Sequence, residues 1–570
     1  MKPQNPDILF AHPRRWTSRD LLLLLLLGVI SAGLLFAGLS ARSLWGSEGR
    51  WAVVAKEMIA SGNYFMPTIN GEVYFDKPLL SYWTIIPFAK LWGMSEAAAR
   101  LPSTCAGVGA VLLLFSMGRR LFGIRAGLAA AGLLLTSTMF VLWTRTASAE
   151  LLNLLSIWLM LWAFMAGGVS GRLKHLMLLY CIGAVSAFLK GPVAPAVAFS
   201  AIGFYSLVRF VTAARTGRFT REKAQTAFFL HFNWIASLRG GLAVLAAAAL
   251  FAFLFLLPVL VTGSWDSAEL MWRENVERFF KPFDHVEPPY VYVKYIPLFF
   301  LPWTLLLVAA LWRSKEWTPN WQVRWMWLTA FAIFVFFTAS GSRRSYYILP
   351  LVPALALITG KSISDWLTGT APKEDIVFKS AALATSAFPV LAGIALIVAY
   401  FTSDLPHHAV QVAVAILAVT GGGAALALFL KNKKINGAVL LFIIVYSLHI
   451  WGFTGGMASM EQMRTFRPFC REAAAGLQGI EDGKIALYPG GDSSLIFYLN
   501  RGPLKTLKNP EEIRQFFTQH PDGVVVSELH HGEMLKNIPG LEGVRAFLVQ
   551  EKGAREKKNE RLVLLRLGHG

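Results

Sequence analysis

Apolar residues in this chain fall into long, nearly unbroken runs separated by short polar stretches. A helix needs roughly 20 apolar residues to cross a bilayer core. By that ruler about thirteen spans are predicted, at 20–40, 103–120, 126–144, 151–168, 175–190, 192–211, 240–263, 295–312, 325–340, 346–362, 380–401, 409–430 and 435–453. The first run, Leu21 to Leu39, is not followed by a small-residue cleavage site and reads as a retained signal anchor. The Ala/Gly-rich run at 409–427 suits close helix packing, and no internal repeat is visible.

Short cytoplasmic loops hold an excess of Lys and Arg. Starting from Arg14, Arg15 and Arg19, every second loop is basic: Arg119, Arg120 and Arg125; Arg172 and Lys174; Arg215, Arg218, Arg221 and Lys223; Arg313, Lys315 and Arg324; Lys361, Lys373 and Lys379; Lys431, Lys433 and Lys434. The amino terminus is therefore expected inside. The loop at 41–102 and everything after residue 453 are expected outside. Several ionisable residues then fall on the outer face against the trend: Glu48, Arg50, Lys77, Glu150, Lys190, Glu274, Arg278, Arg343 and Arg344.

After residue 453 the pattern changes. Lys484–Leu487, Gly523–Val526 and Arg561–Leu567 read as strands and Pro510–Thr518 as a helix, which predicts a small α/β domain over 454–570. His530 and His531 read as an exposed loop pair, since no further spaced ligands accompany them.

Composition agrees with a membrane protein: 55% of the 570 residues are hydrophobic and only 15% charged, with a mean hydropathy of +0.50. The net charge of +20 is distributed as topological clusters between apolar runs, not as a basic face for nucleic acid. Cys105, Cys181 and Cys470 are too few and too scattered for a disulfide framework or a cysteine metal cluster.

The stretch from Trp45 to Trp83 is the candidate site. Trp51, Val54, Met58 and Ile59 recur at helical spacing, as do Leu79, Tyr82, Trp83 and Ile86 after Pro78, predicting two amphipathic helices lying in the interface. The first would start near Ser47, with Glu48 and Arg50 in its opening turn, and Lys77 would precede the second. Helix starts attract anions. An anion held between Arg50 and Lys77, or two interfacial anchors meeting lipid headgroups, are both compatible with this spacing.

The sequence from Glu48 to Trp83, EGRWAVVAKEMIASGNYFMPTINGEVYFDKPLLSYW, followed by AARLPS, resembles the first outer loop of the bacterial aminoarabinose transferases of lipid A and the related protein O-mannosyltransferases. The resemblance extends to FLKGP at 188–192, ENVERF at 274–279 and SRRSYYILP at 342–350, and fades in the tail. It implies a polytopic α-helical membrane protein of the GT-C type, with about 13 transmembrane helices over residues 1–453, a first periplasmic loop at 41–102 and a periplasmic α/β domain at 454–570. It implies a bacterial inner-membrane glycosyltransferase that moves a sugar, with inversion, from undecaprenyl phosphate to lipid A or to another envelope glycan or protein. By the same resemblance, Arg50 and Lys77 match positions that hold the donor phosphate. Lys190 and the Arg343, Arg344 and Tyr347 segment match regions lining the donor cavity, to which Glu274, Arg278 and Tyr82 are added.

One departure matters. Family members carry Asp-Glu where this chain has Ser47-Glu48, and a second outer-loop Asp appears as Glu150. Three readings are open: Glu48 or Glu150 takes the acceptor proton; the acceptor is a phosphate that needs little base catalysis; or the protein binds lipid without transfer, Ser47 serving as a helix cap. A lipid-linked sugar transporter is the rival from another class, although charges gathered on one face and the lack of a repeat are unlike such carriers. Glu274 with Arg278 also fits an intrahelical pair, and Lys190 a snorkelling anchor. No cofactor is expected. A divalent cation would need several clustered acids.

Overall fold

The computed structural model describes residues 15–215, 231–273, 277, 287–313, 320–369, 375–402, 409–462, 466–490, 492–551 and 561–568. Among them, 11 helices are long and apolar enough to cross a membrane, and two bent helix pairs bring the number to 13 if each pair is one span. The bent pairs are the predicted spans at 126–144 and 295–312. Ile124–Leu135 and Thr138–Thr144 meet at 66°, and Val291–Phe299 and Thr304–Trp312 at 113°.

The two breaks explain each other. At the first, the hydroxyls of Thr136 and Ser137 donate back to Gly132 O and Leu133 O, each at 2.6 Å. At the second, Pro302 offers no N–H to continue a helix. Thr138 N–H donates to Leu301 O at 3.0 Å, and Trp303 Nε1 donates to Thr136 Oγ1 at 3.0 Å. Backbone groups freed by each break are thereby taken up inside protein, the condition for irregular backbone at membrane depth.

Close approaches at glycine tie the bundle together. A Cβ on Gly360 would stand 2.6 Å from Ala130 N, and one on Gly127 would stand 2.7 Å from Arg119 N. Helix Ile124–Leu135 is thus clasped between Glu96–Phe122 and Val352–Thr368. The Ala/Gly-rich run packs as expected: Gly393 on Asp375–Thr402 approaches Ala415 O, leaving 2.7 Å for an added Cβ. At the start of the first span, Asp20 closes a capping box with Thr17 and accepts from Arg119 Nη2 at 2.7 Å. Outward faces stay apolar, with Leu260 79% and Phe401 78% exposed, as lipid-facing positions require.

The first loop forms helix Glu48–Ser61, a two-stranded hairpin of Thr68–Ile69 and Glu72–Val73, and short helices Leu79–Trp83 and Ile86–Trp92. Helix Glu48–Ser61 does not lie against lipid as expected. Trp51, Val54, Ala55 and Met58 pack with Leu79, Tyr82, Phe188 and Leu189, while Val53 on another face packs with Phe469, Cys470, Leu495 and Ile496 of the tail. Its apolar surface exceeds one stripe, so protein covers it on two sides. The expected second helix breaks in two, and its later half carries the exposed Leu91 and Trp92.

The helix from Lys434 runs on through Gly452–Gly456 to Gln462, so the expected boundary after 453 falls inside a continuous helical run. Beyond it lies a five-stranded sheet, among the described residues, in the order Lys505–Thr506, Ile485–Tyr488, Val524–Glu528, Leu562–Leu567, Val544–Val549. The first two pairings are parallel and the last two antiparallel. The predicted strands and the helix, Pro510–Gln519, are all present; the strand Val544–Val549 lacked clean alternation and was not expected. His530 and His531 sit on helix Leu529–Leu535 instead of a loop. Cys470 is buried in the tail core, and that burial pushes its thiol up to about 12.

Candidate active site

Glu48 is the hub on which the site is assembled. Its carboxylate is fully buried and accepts hydrogen bonds from Arg100 Nε at 2.8 Å and Nη2 at 2.7 Å, Arg42 Nη2 at 3.1 Å, Trp45 N–H at 3.1 Å and Ala147 N–H at 2.7 Å. The Arg100 guanidinium also donates to Leu39 O, to Arg42 O at 2.9 Å and to Ser43 O at 2.9 Å. A carboxylate at the first helical position suits the helix dipole. A buried carboxylate with this many donors has no lone pair left for an incoming proton donor. In this structure the Glu48 carboxylate joins the start of helix Glu48–Ser61 to the loop at 145–149 and is absent from the lining of the neighbouring cavity.

Ser47 and Arg50, beside that junction, line a cavity of about 300 Å³ together with Glu150 and Lys190. Glu150 opens helix Glu150–Ala163, and Lys190 closes helix Leu173–Lys190, each charge matching the dipole at its helix end. Gly191, at φ 72°, ends the second helix in a conformation that an L side chain would strain. The two side chains meet with Lys190 Nζ 2.5 Å from Glu150 Oε1. Lys190 also lies over the ring of Tyr347, 5.3 Å from its centroid. Asn153, one turn beyond Glu150, lines the cavity, and its buried Oδ1 accepts no hydrogen bond.

The lining also includes Arg50, Asp76 and Lys77 from the first loop. Arg50 Nη1 donates to Tyr74 OH at 2.8 Å and lies 3.5 Å from Asp76 Oδ2. Lys77 Nζ donates to Asp76 Oδ1 at 3.0 Å. Burial alone would raise the Asp76 carboxyl, but Lys77 and then Arg50 outweigh it and hold the group below its ordinary value. Burial likewise lowers Arg50, and Tyr74 and Asp76 more than compensate, so it is held more firmly protonated. Arg344 completes the charged lining, with Nη1 donating to Tyr346 OH at 3.0 Å; Tyr346 packs on Trp143 with centroids 4.2 Å apart.

Of the residues expected at a site, Arg50, Lys77, Glu150, Lys190, Arg344 and Tyr347 come together around this cavity, and Glu48 stands behind it. Arg343 turns away: its guanidinium donates to Thr338 O at 3.1 Å and Glu287 O at 2.6 Å, because adjacent residues entering the turn at Ser345–Leu351 point in different directions. Tyr82 is also absent from the lining. It is buried behind Trp51, ring centroids 5.4 Å apart, and its own burial drives the phenol well above its ordinary value. Glu274 and Arg278 lie outside the described residues. Ser47 lines the cavity, and its side chain makes no capping hydrogen bond. Asp76, Arg100 and Asn153 were missed. The FDKP and AARLP motifs contain the first two; Lys77 beside Asp76 is a signal for that pair, whereas a lone Arg100 among apolar residues gives no indication of its distant partner Glu48.

The chain matches the family model described as dolichyl-phosphate-mannose-protein mannosyltransferase over residues 76–232. It is 26% identical to the undecaprenyl phosphate-alpha-4-amino-4-deoxy-L-arabinose arabinosyl transferase of Shewanella sediminis over 71% of each chain. A Proteus mirabilis protein of the same description is also 26% identical, over 57% of this chain and 56% of its own length. The fold is shared with the crystal structure of ArnT from Cupriavidus metallidurans in the apo state, at a TM-score of 0.70 and 18% identity, covering 96% of this chain and 99% of that one. The same protein bound to undecaprenyl phosphate superimposes at a TM-score of 0.68, again with 18% identity, over 97% and 100% of the two chains. The family model and the relatives support a membrane glycosyltransferase that resembles the aminoarabinose transferases and the protein mannosyltransferases, and the fold is the one seen in ArnT.

Proposed function

We propose that this protein transfers a sugar from a polyprenyl phosphate, of the undecaprenyl class, to an acceptor oxygen on the outer side of the bacterial inner membrane. The observation that carries this reading is the cavity itself, where Arg50 and Lys77 from the first loop, Lys190 and Arg344 converge from three separate parts of the chain around a small space. Four cations against two carboxylates leave an excess of positive charge suited to a lipid phosphate. The undecaprenyl-phosphate complex of the Cupriavidus relative, which shares the fold, supports the donor class.

In the proposed reaction the acceptor oxygen attacks the anomeric carbon from the side opposite the phosphate. The bond from that carbon to the phosphate oxygen breaks, and the phosphate leaves with the electron pair, inverting the centre. Charge develops on the departing phosphate, where preorganised cations help most. Glu150 is the general base. It is a cavity carboxylate with a single cation partner, Lys190, whereas Asp76 is already committed to both Arg50 and Lys77. In the resting state Lys190 holds Glu150; an arriving phosphate competes for Lys190 and frees the carboxylate to take the acceptor proton. Each cavity carboxylate has its own cation partner, so the transfer proposed here runs without a divalent metal at this site.

The amino terminus and the basic loops lie in the cytoplasm in this reading, with the cavity and the α/β tail in the periplasm. The acceptor is lipid A or another envelope glycan or protein. A radiolabelled polyprenyl-phosphate sugar incubated with purified protein and envelope extract tests the transfer. Mass spectrometry of lipid A, glycoproteins and surface polysaccharide from a deletion strain identifies the acceptor. Movement of labelled lipid across a vesicle bilayer without formation of a new glycosidic bond would favour a carrier instead.

A further inference from the structure

Strand Val524–Glu528 ends where helix Leu529–Leu535 begins, and this corner gathers Glu528, His530 and His531. Nδ1 of His530 lies 3.4 Å from Glu528 Oε2, and Nδ1 of His531 lies 4.0 Å from the same oxygen. One potential ligand atom from each of the three residues fits within a mutual separation of 4.8 Å. The imidazole rings are in contact, 3.8 Å between centroids and tilted by 38°. His531 is further fixed by edge contact with Tyr488, centroids 5.5 Å apart, and its enclosed Nδ1 makes no hydrogen bond.

We propose that Glu528, His530 and His531 form a binding site for a divalent transition-metal ion of the zinc class, separate from the sugar-transfer cavity. Two imidazole nitrogens and one carboxylate oxygen are the donor set that such ions take, and three protein ligands leave an open coordination position. A bound ion would clip the end of the strand to the start of the helix, and the tail would gain stability by linkage.

The test uses the full-length protein in detergent, purified with an affinity tag that contains no histidine. Titration with Zn²⁺ followed calorimetrically is expected to show one site, and Co²⁺ is expected to give visible absorption bands of nitrogen and oxygen ligation in the wild type. His530→Ala/His531→Ala should abolish both, and Glu528→Gln should weaken binding on the order of 10–100-fold. Equal Zn²⁺ binding by wild type and the double variant would overturn the proposal. So would wild-type protein that yields no Co²⁺ bands at a metal excess, a result that does not depend on the variants folding.

Discussion

Lys190 and Glu150 meet at 2.5 Å in the lining of the cavity, each at the end of a different helix. This contact closes the proposed base in the absence of donor. Glu150→Gln keeps the shape and removes the proton acceptor, so transfer should fall by about 10²–10⁴-fold with donor binding retained. Lys190→Met should instead weaken donor binding and leave some turnover at saturating donor. Single-turnover rates measured across donor concentrations separate the two; a Glu150→Gln enzyme that turns over normally would remove Glu150 from the mechanism.

Arg50 and Lys77 flank Asp76 in the cavity lining. Replacing both cations by Ala should abolish measurable affinity for polyprenyl phosphate, while either single change, by removing one charge-assisted hydrogen bond to the phosphate, raises Kd by about tenfold. Binding by fluorescence quenching, repeated at increasing salt, checks this. A double variant with wild-type affinity rules out this pair as the phosphate site.

Arg100 grips Glu48 through two hydrogen bonds inside the protein. Arg100→Ala leaves a buried carboxylate short of its principal counter-ion and should cost roughly 3–5 kcal/mol. Thermal unfolding in detergent gives the answer directly. Glu48→Gln should also lower the melting temperature, and any activity lost should track the folded fraction. A Glu48→Gln protein that is fully folded and inactive would instead make Glu48 a direct participant.

Asp76 supplies the pH dependence. Its carboxyl is held below the ordinary value of 3.8, so the ion pairs contribute fully above that pH. The contribution then fades as pH falls through the lowered folded-state value. The stability gap between wild type and Asp76→Asn should therefore be constant from about pH 7 to about pH 4 and narrow toward pH 3. A gap that closes well above pH 4 would show that Lys77 and Arg50 do not hold the carboxylate.

Gly49 marks the seam between the first loop and the tail. A Cβ there would stand 2.5 Å from Ser494 N and 2.6 Å from Ser494 Oγ. Gly49→Ala should loosen this docking at a cost of about 1–3 kcal/mol. Limited proteolysis should then cut the tail faster, with the membrane helices intact. Unchanged cleavage would mean that the tail is held by its other contacts, such as Asn70 Nδ2 to Leu504 O at 2.6 Å.

The membrane architecture was legible along the chain because bilayer insertion is read locally. A run of Leu, Ala and Phe long enough to span needs no distant partner, and the strands around Ile485 and Val524 likewise announce themselves by composition. Arg50 and Lys77 were legible as cations beside helix starts, and a resemblance attached a phosphate to them. The roles of the carboxylates were not. Glu48 and Glu150 both open helices and look alike in sequence. Their difference comes from residues far away: Arg100, 52 positions on, encloses one, and Lys190 stands beside the other at the edge of the cavity. Hydropathy and spacing report what a residue does to its own helix. Which carboxylate is spent on holding the fold, and which faces the cavity, depends on long-range contacts that exist only once the helices have packed.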